Sequence, residues 1–294
     1  MAQTGILARW CRRTSARQAW PSVLVASILS VLSPILSAEE ADSLPQGAVL
    51  KLGSPGLRTS SFVQAVGFLP DGKTVVSVGA GMQFWDVETG RAQRVAPVMA
   101  SDGSFSPDGG FFLGSGSFEA ELVDLEKGEV VARLEPAGRR GGQLRVALSK
   151  GGDRVALASD AGVVSVLGGA DRKELWSDKA GKGRLAAVAL SVDGTTLATA
   201  SGGEVILWEA EPGKRVRSWQ VPKACALTFS PDGRRLAVGR NYAPTTILEV
   251  GEDGKRIVLD DKPAALGPVA FSPDGARVAT GDREGVVQIW EVAT

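Results

Sequence analysis

A turn motif that recurs along most of the chain constrains the fold more than any other feature of the sequence. The most complete copy is V-A-F-S-P-D-G-A-R-V-A-T-G-D-R-E-G-V-V-Q-I-W-E-V, residues 269–292. A short apolar run precedes Ser-Pro-Asp-Gly, in which Pro presets φ while Asp and Gly tolerate a tight reversal. Two further short runs follow, and the last is rich in β-branched and aromatic residues. This pattern predicts an antiparallel meander of three strands.

The motif occurs in six copies. Their first strands begin at Val66, Gly103, Val146, Val188, Leu227 and Val269. The turn position holds Asp71, Asp108, Gly151, Asp193, Asp232 and Asp274, at intervals of 37, 43, 42, 39 and 42 residues. Such a period, with several strands in each unit, predicts the blades of a propeller. Fourth strands are predicted at 93–96, 130–135, 173–176, 215–221 and 256–259.

These turns, together with the Trp-Asp or Trp-Glu pairs at Trp85, Trp208 and Trp290, make residues 44–294 resemble the WD-repeat β-propeller family, in an exported form of the bacterial type. The resemblance implies an all-β fold of four-stranded antiparallel blades, six by this count, with seven as the alternative. The sixth copy has no fourth strand of its own. We expect A-V-L-K-L, residues 48–52, to complete that blade and close the ring, because an unmatched end blade exposes a strand edge.

The resemblance also raises expectations for individual residues. Many WD repeats are braced by a hydrogen-bonded network that includes a His, and this chain contains no His. Packing between blades must then supply the stability, and we expect the three Trp residues named above to pack there rather than to bind a ligand. We expect the five turn aspartates to be structural residues on the periphery of the ring, too far apart to converge on one ion.

Composition excludes several kinds of chemistry. Without His there is no Ser-His-Asp or Cys-His nucleophile and no His-ligated metal. Cys225 is the single thiol beyond residue 38, so neither an internal disulfide nor a Cys-based metal site is expected there. No phosphate-binding loop appears, and we predict neither a cofactor nor a metal. Residues 39–294 hold 29 basic and 33 acidic side chains, so nucleic-acid binding is not expected.

The sequence of residues 1–38 has the features of an export signal. A basic front, with Arg9, Arg12, Arg13 and Arg17, precedes an apolar stretch at 22–36 and small residues that suit cleavage after Ala38. The apolar stretch is shorter than the roughly 20 residues of a spanning helix, so we expect a signal peptide, with an uncleaved membrane anchor as the alternative. A linker at 39–47 and the propeller at 48–294 follow. The expected location is periplasmic or secreted, or else anchored to the membrane at the N-terminus.

The predicted function is that of a non-catalytic scaffold that binds a protein partner. One alternative is a hydrolase or lyase with a His-free site in the central channel, near Arg240, Asn241 and Tyr242. Another is a propeller that binds carbohydrate or the cell wall. Both are weaker, because no catalytic set and few exposed aromatic residues are evident.

One surface stands out as a candidate for partner binding. It consists of Arg139, Arg140, Lys179, Lys182 and Arg184. These residues are predicted to lie in the links between blades two and three and between blades three and four, on one face of the ring. Such a basic patch suits an acidic partner or an anionic polymer. The alternative interpretation is a pair of solvated loops.

Overall fold

The chain folds into a six-bladed β-propeller, which confirms the predicted fold class and rules out the alternative of seven blades. The computed structural model describes residues 65–79, 81–98, 100, 102–116, 119–135, 144–169, 171–181, 183–251, 254–259, 269–281 and 287–292. Within these residues, five blades are four-stranded antiparallel sheets and the sixth has three strands. A 3₁₀ turn at Lys150–Gly152 is the single helical element of this part of the chain.

The strands of each blade follow one another in chain order across the sheet. Blade one contains β1 (Ala65–Phe68), β2 (Thr74–Val78), β3 (Met82–Asp86) and β4 (Ala92–Ala96). Blade two contains β5 (Asp102–Phe105), β6 (Phe111–Ser115), β7 (Ala120–Asp124) and β8 (Glu129–Leu134). Blade three contains β9 (Arg145–Leu148), β10 (Arg154–Ala158), β11 (Val163–Gly168) and β12 (Lys173–Lys179).

The second half of the ring repeats this plan. Blade four contains β13 (Leu185–Leu190), β14 (Thr196–Ser201), β15 (Glu204–Glu209) and β16 (Arg215–Gln220). Blade five contains β17 (Ala224–Phe229), β18 (Arg235–Arg240), β19 (Thr246–Glu249) and β20 (Arg256–Val258). Blade six contains β21 (Val269–Phe271), β22 (Arg277–Gly281) and β23 (Val287–Glu291). The closing strand predicted at 48–52 lies outside the described residues and stays a prediction.

The Ser-Pro-Asp-Gly sequence forms the same turn wherever it occurs complete, and blade five shows it clearly. The Ser230 hydroxyl accepts the backbone N–H of Arg235 at 2.9 Å and donates to Asp232 Oδ1 at 2.5 Å. The same carboxylate oxygen accepts the backbone N–H of Arg234 at 3.0 Å. Gly233 closes the turn with a φ of 70°, a conformation that other residues reach only with strain. Sequence-local hydrogen bonds therefore fix the hairpin between strands one and two.

Five apolar cores lie between successive blades. Packing in these cores stabilises a propeller that has no His for a bracing hydrogen-bonded network. Representative pairs across them are Phe84 and Phe112, Leu122 and Leu157, Val166 and Trp208, Leu207 and Leu236, and Ile247 and Val278. Each member of these pairs is at most 2% exposed. Because inner strands bury both faces, their sequences are apolar runs rather than alternating ones.

The face of blade one that points away from blade two is more exposed than the faces that meet between successive blades. On β1, Ala65 contacts the core between blades one and two, while Val66 and Phe68 point to the opposite face and are 60% and 58% exposed. On blade six, Ile289 is 69% exposed. The described residues thus leave apolar surface on both blades that would meet to close the ring.

The three third-strand Trp residues are held by a hydrogen bond to strand two of their own blade. The indole N–H of Trp85 donates to Ser77 Oγ at 2.8 Å, and that of Trp208 donates to Thr199 Oγ1 at 3.0 Å. In blade six, the indole of Trp290 donates to a Thr hydroxyl in the same way, at 3.2 Å. Trp208 is fully buried, and Trp176 packs on it with ring centroids 5.5 Å apart.

Candidate functional site

A cavity lies where the first strands of five blades converge. It has a volume of about 610 Å³ and is lined by the ends of β5, β9, β13, β17 and β21, together with the turns that follow them. Its wall includes Phe105, Leu148, Leu190, Phe229 and Phe271, each the last residue of its strand. The cavity is therefore an apolar channel whose mouth is formed by the turns between strands one and two.

A second cavity, of about 510 Å³, lies at this mouth and has a different character. The two cavities share Asp108, Lys150, Val192 and Pro231 as lining residues. The charged side chains that line the second one are Asp108, Lys150, Asp153, Asp193 and Asp232. Four carboxylates and one ammonium group give this rim a formal charge of −3.

The expectation that the turn aspartates lie on the periphery of the ring is wrong for Asp108, Asp193 and Asp232. In this propeller the first strands of neighbouring blades contact one another around the channel. A turn that directly follows such a strand must surround the channel mouth, not the outer edge. Asp71 and Asp274 occupy the same turn in blades one and six, but they line neither cavity.

Hydrogen bonds lower the pKa of three rim carboxylates, those of Asp108, Asp193 and Asp232. At Asp232, the hydrogen bond from the Ser230 hydroxyl is the largest cause of a lowered pKa. At Asp193, burial opposes ionisation, but hydrogen bonds from Ser191 and Thr195 outweigh it, and the pKa is lowered. At Asp108, burial is likewise outweighed by hydrogen-bond donors, among them the backbone N–H of the next blade. These groups are therefore negative charges at neutral pH and not proton donors.

The turn of blade three departs from the others. It reads Ser149-Lys150-Gly151-Gly152, and both glycines have a φ of 66°. The N–H of Gly151 donates to Asp108 Oδ2 in blade two at 3.0 Å, and the N–H of Lys150 donates to the carbonyl of Val192 in blade four at 2.9 Å. This turn thus links three blades at the channel mouth and supplies the single ammonium group among the residues that line it.

The basic patch is only partly within the described residues, since Arg139, Arg140 and Lys182 lie outside them. Lys179 is exposed but ends β12 and does not lie in the link, because the strand runs on to pair Lys179 with Val163. Arg184 does lie in the link, where its Nε is 2.9 Å from an Asp160 carboxylate oxygen. The patch as a binding surface stays a prediction.

Residues considered for a catalytic site do not line the channel. Arg240 ends β18 and donates to the carbonyls of Pro222 and Pro244, while Tyr242 is 58% exposed in the following turn. Neither residue borders the two cavities described above, and nor does Asn241. The thiol of Cys225 lies 3.4 Å from the carbonyl oxygen of Gly239 on the neighbouring strand.

Among the described residues, no group of three or more His, Cys, Asp or Glu side chains is placed to hold a metal ion. No helix in this part of the chain has the length and apolar character to cross a membrane.

Comparisons with known proteins agree with the geometry. Residues 269–291, within which the strands of blade six lie, match a family described as "WD domain, G-beta repeat". A solved structure entitled "Crystal Structure of Mitotic Checkpoint Complex" contains a chain with a TM-score of 0.67 to this one. The two are 18% identical, and the match covers 81% of this chain and 76% of that chain. A search of curated proteins found no match.

Proposed function

We propose that the chain is a WD-repeat propeller throughout and acts as a non-catalytic scaffold that binds a protein partner. The observation that carries this proposal is the open apolar channel with its charged rim, since apolar surface bordered by fixed charge is suited to recognition. Blade six matches the family directly, and the other blades share its turn and strand plan. The solved structure of similar fold is described as a complex, which fits a role in assembly.

The state of the carboxylates favours binding over catalysis. A general acid or base works best with a pKa near the operating pH. Asp108, Asp193 and Asp232 of the rim have pKa values below the ordinary value, because their oxygens accept hydrogen bonds from their own turns and, for Asp108, from the next blade. Groups in this state present negative charge to a ligand and are poorly suited to transfer protons at neutral pH.

The scaffold is proposed to work outside the cytoplasm, in the cell envelope or beyond it. This part of the proposal is supported by the basic and apolar segments at 1–38 and by the small residues before Glu39. N-terminal sequencing of the protein recovered from its native host decides it. A mature chain that begins near residue 39 supports export, whereas a chain that keeps its first residues in a membrane fraction supports an anchor.

Isolation of the full chain under native conditions tests the scaffold role. We expect a protein partner at defined stoichiometry after crosslinking, purification and mass spectrometry, and a complex that can be rebuilt from the two purified proteins. Turnover of a small molecule by the purified propeller, without any such partner, would overturn the proposal.

A further inference from the structure

The scaffold proposed above needs a recognition surface, and we propose that this surface is the channel mouth on the side of the turns between strands one and two. We infer that it binds a peptide segment in which a large apolar side chain lies next to Lys or Arg. The apolar side chain enters the channel, and the basic side chains contact the rim. This inference rests on the proposed function and adds the face of the ring and the chemistry of the partner.

Charge complementarity selects a basic segment. The rim has a formal charge of −3, and three of its four carboxylates have lowered pKa values, so the charge persists through the neutral and mildly acidic range. Asp193 and Asp232 lie in the adjacent blades four and five. No Lys or Arg between them in the sequence lines this cavity. Arg234 and Arg235 interact with the Asp232 carboxylate but do not line this cavity, so a cation that enters this side of the mouth borders two carboxylates.

The channel beneath the rim selects the apolar part of the ligand. Its volume of about 610 Å³ is within the usual range of ligand pockets. Leu148, Leu190 and Phe229 line its wall, together with smaller apolar residues of the same strands. A Leu, Met or Phe side chain of the partner would bury its surface there at roughly 25 cal/mol per Å².

The unusual turn of blade three makes the mouth asymmetric. Lys150 stands where blades two, five and six carry Pro and blade four carries Val. Lys150 lines the same cavity as Asp193 and Asp232. Its charge offsets that of Asp153 in the same blade, so a bound cation is favoured on the side of blades four and five over the side of blade three. The rim thereby gives a bound peptide a preferred direction.

The test uses the full-length protein and a fluorescein-labelled peptide, (Gly-Lys-Leu-Arg)₃, with binding followed by fluorescence anisotropy at low ionic strength. The double variant Asp193→Asn, Asp232→Asn removes two charges, while the Asn side chains keep an acceptor for the turn. We expect it to bind about ten-fold more weakly, since each exposed charge contributes roughly 1 kcal/mol or less. Lys150→Met should bind a few-fold more tightly.

A matched control is available in the same motif. Asp71→Asn, Asp274→Asn changes the same two charges in turns that line neither cavity, and it should leave the affinity within about two-fold. Replacing Leu by Gly in the peptide should weaken binding, as should added salt. Thermal melts of all variants confirm that the Asn substitutions leave the fold intact.

Equal weakening by the two double variants, no dependence on the peptide's Leu, or tighter binding of (Gly-Glu-Leu-Glu)₃ would each overturn the inference. The two proposals fail separately. A native partner whose complex is unaffected by Asp193→Asn, Asp232→Asn refutes the channel mouth and keeps the scaffold. Peptide binding with the predicted pattern, in a protein that also turns over a small molecule, refutes the scaffold and keeps the mouth as a cation-binding subsite.

Discussion

Two phenylalanines occupy the same position of the motif in blades one and five. Their exposure shows how tightly each of these two blades packs on the preceding blade. Phe229 in blade five is 7% exposed and belongs to the core between blades four and five. Phe68 in blade one is 58% exposed. Both stand two residues before the Pro of a Pro-Asp-Gly turn, so their local sequence context is matched. Truncating each to Ala compares an internal blade contact with the contact that would close the ring.

The expected losses of unfolding free energy differ several-fold. Phe229→Ala should cost about 3–5 kcal/mol, because it removes a packed ring and leaves a cavity. Full burial of a Phe side chain contributes about 1.5–3 kcal/mol, and less than half of Phe68 is buried. Phe68→Ala should therefore cost only about 1 kcal/mol, with no closed cavity to add to it.

Urea unfolding followed by Trp fluorescence gives both values, and m-values equal to that of the parent chain show that the same surface is exposed on unfolding. A loss for Phe68→Ala as large as that for Phe229→Ala would refute the reasoning. It would mean that the contact between blades six and one is packed in solution as tightly as the contact between blades four and five.

Further predictions concern stability, acid sensitivity, ring closure and the basic patch. Thr199→Val leaves a fully buried indole N–H without an acceptor and should cost about 1–3 kcal/mol in urea, more than Thr280→Val at the half-buried Trp of blade six; equal losses would contradict this. Hydrogen bonding lowers the pKa of Asp232 in the folded state, so its contribution to stability is complete above the unfolded pKa of about 3.9 and is lost as the pH falls from there through the lower folded pKa. Asp232→Asn should flatten the acid-unfolding curve in this pH range. An unchanged curve would contradict this prediction. Deleting residues 44–53 should speed hydrogen exchange at Val287–Glu291, and unchanged exchange would argue against the closing strand. Replacing the five basic-patch residues by Ser should weaken partner binding if the patch is used, as measured by titration of the rebuilt complex.

The fold was readable from the sequence because its determinants are local. In blade five, the Ser and Asp side chains bond to each other and to the backbone N–H groups of Arg234 and Arg235, all within six consecutive residues, so the turn needs no distant partner. Strand identity and blade number then follow from the spacing of the turns. The fourth strands also appear near their predicted bounds, except that β12 extends to Lys179 through a bulge in its pairing with β11.

The candidate site was not readable in the same way. The aspartates of blades two, four and five are separated by tens of residues, and only the three-dimensional order of the strands brings them to one channel mouth. The sequence does contain the needed information, since every turn aspartate directly follows a first strand, and first strands surround the axis of a propeller. What it cannot supply is which turns border the open cavity: Asp71 and Asp274 are identical in motif and lie outside it.

The turn of blade three shows how one departure from a repeat can serve structure and recognition together. A residue at position 151 must adopt a φ of 66°, which Gly reaches without strain and Asp does not. In that conformation its N–H donates to the Asp108 carboxylate of blade two, so a hydrogen bond to that aspartate takes the place of the turn aspartate that blade three lacks. The preceding Lys150 is then the charged residue of this turn that lines the cavity, opposite in sign to the aspartates of the neighbouring turns. Restoring Pro-Asp at positions 150 and 151 would therefore remove an inter-blade link and make the rim more acidic at the same time.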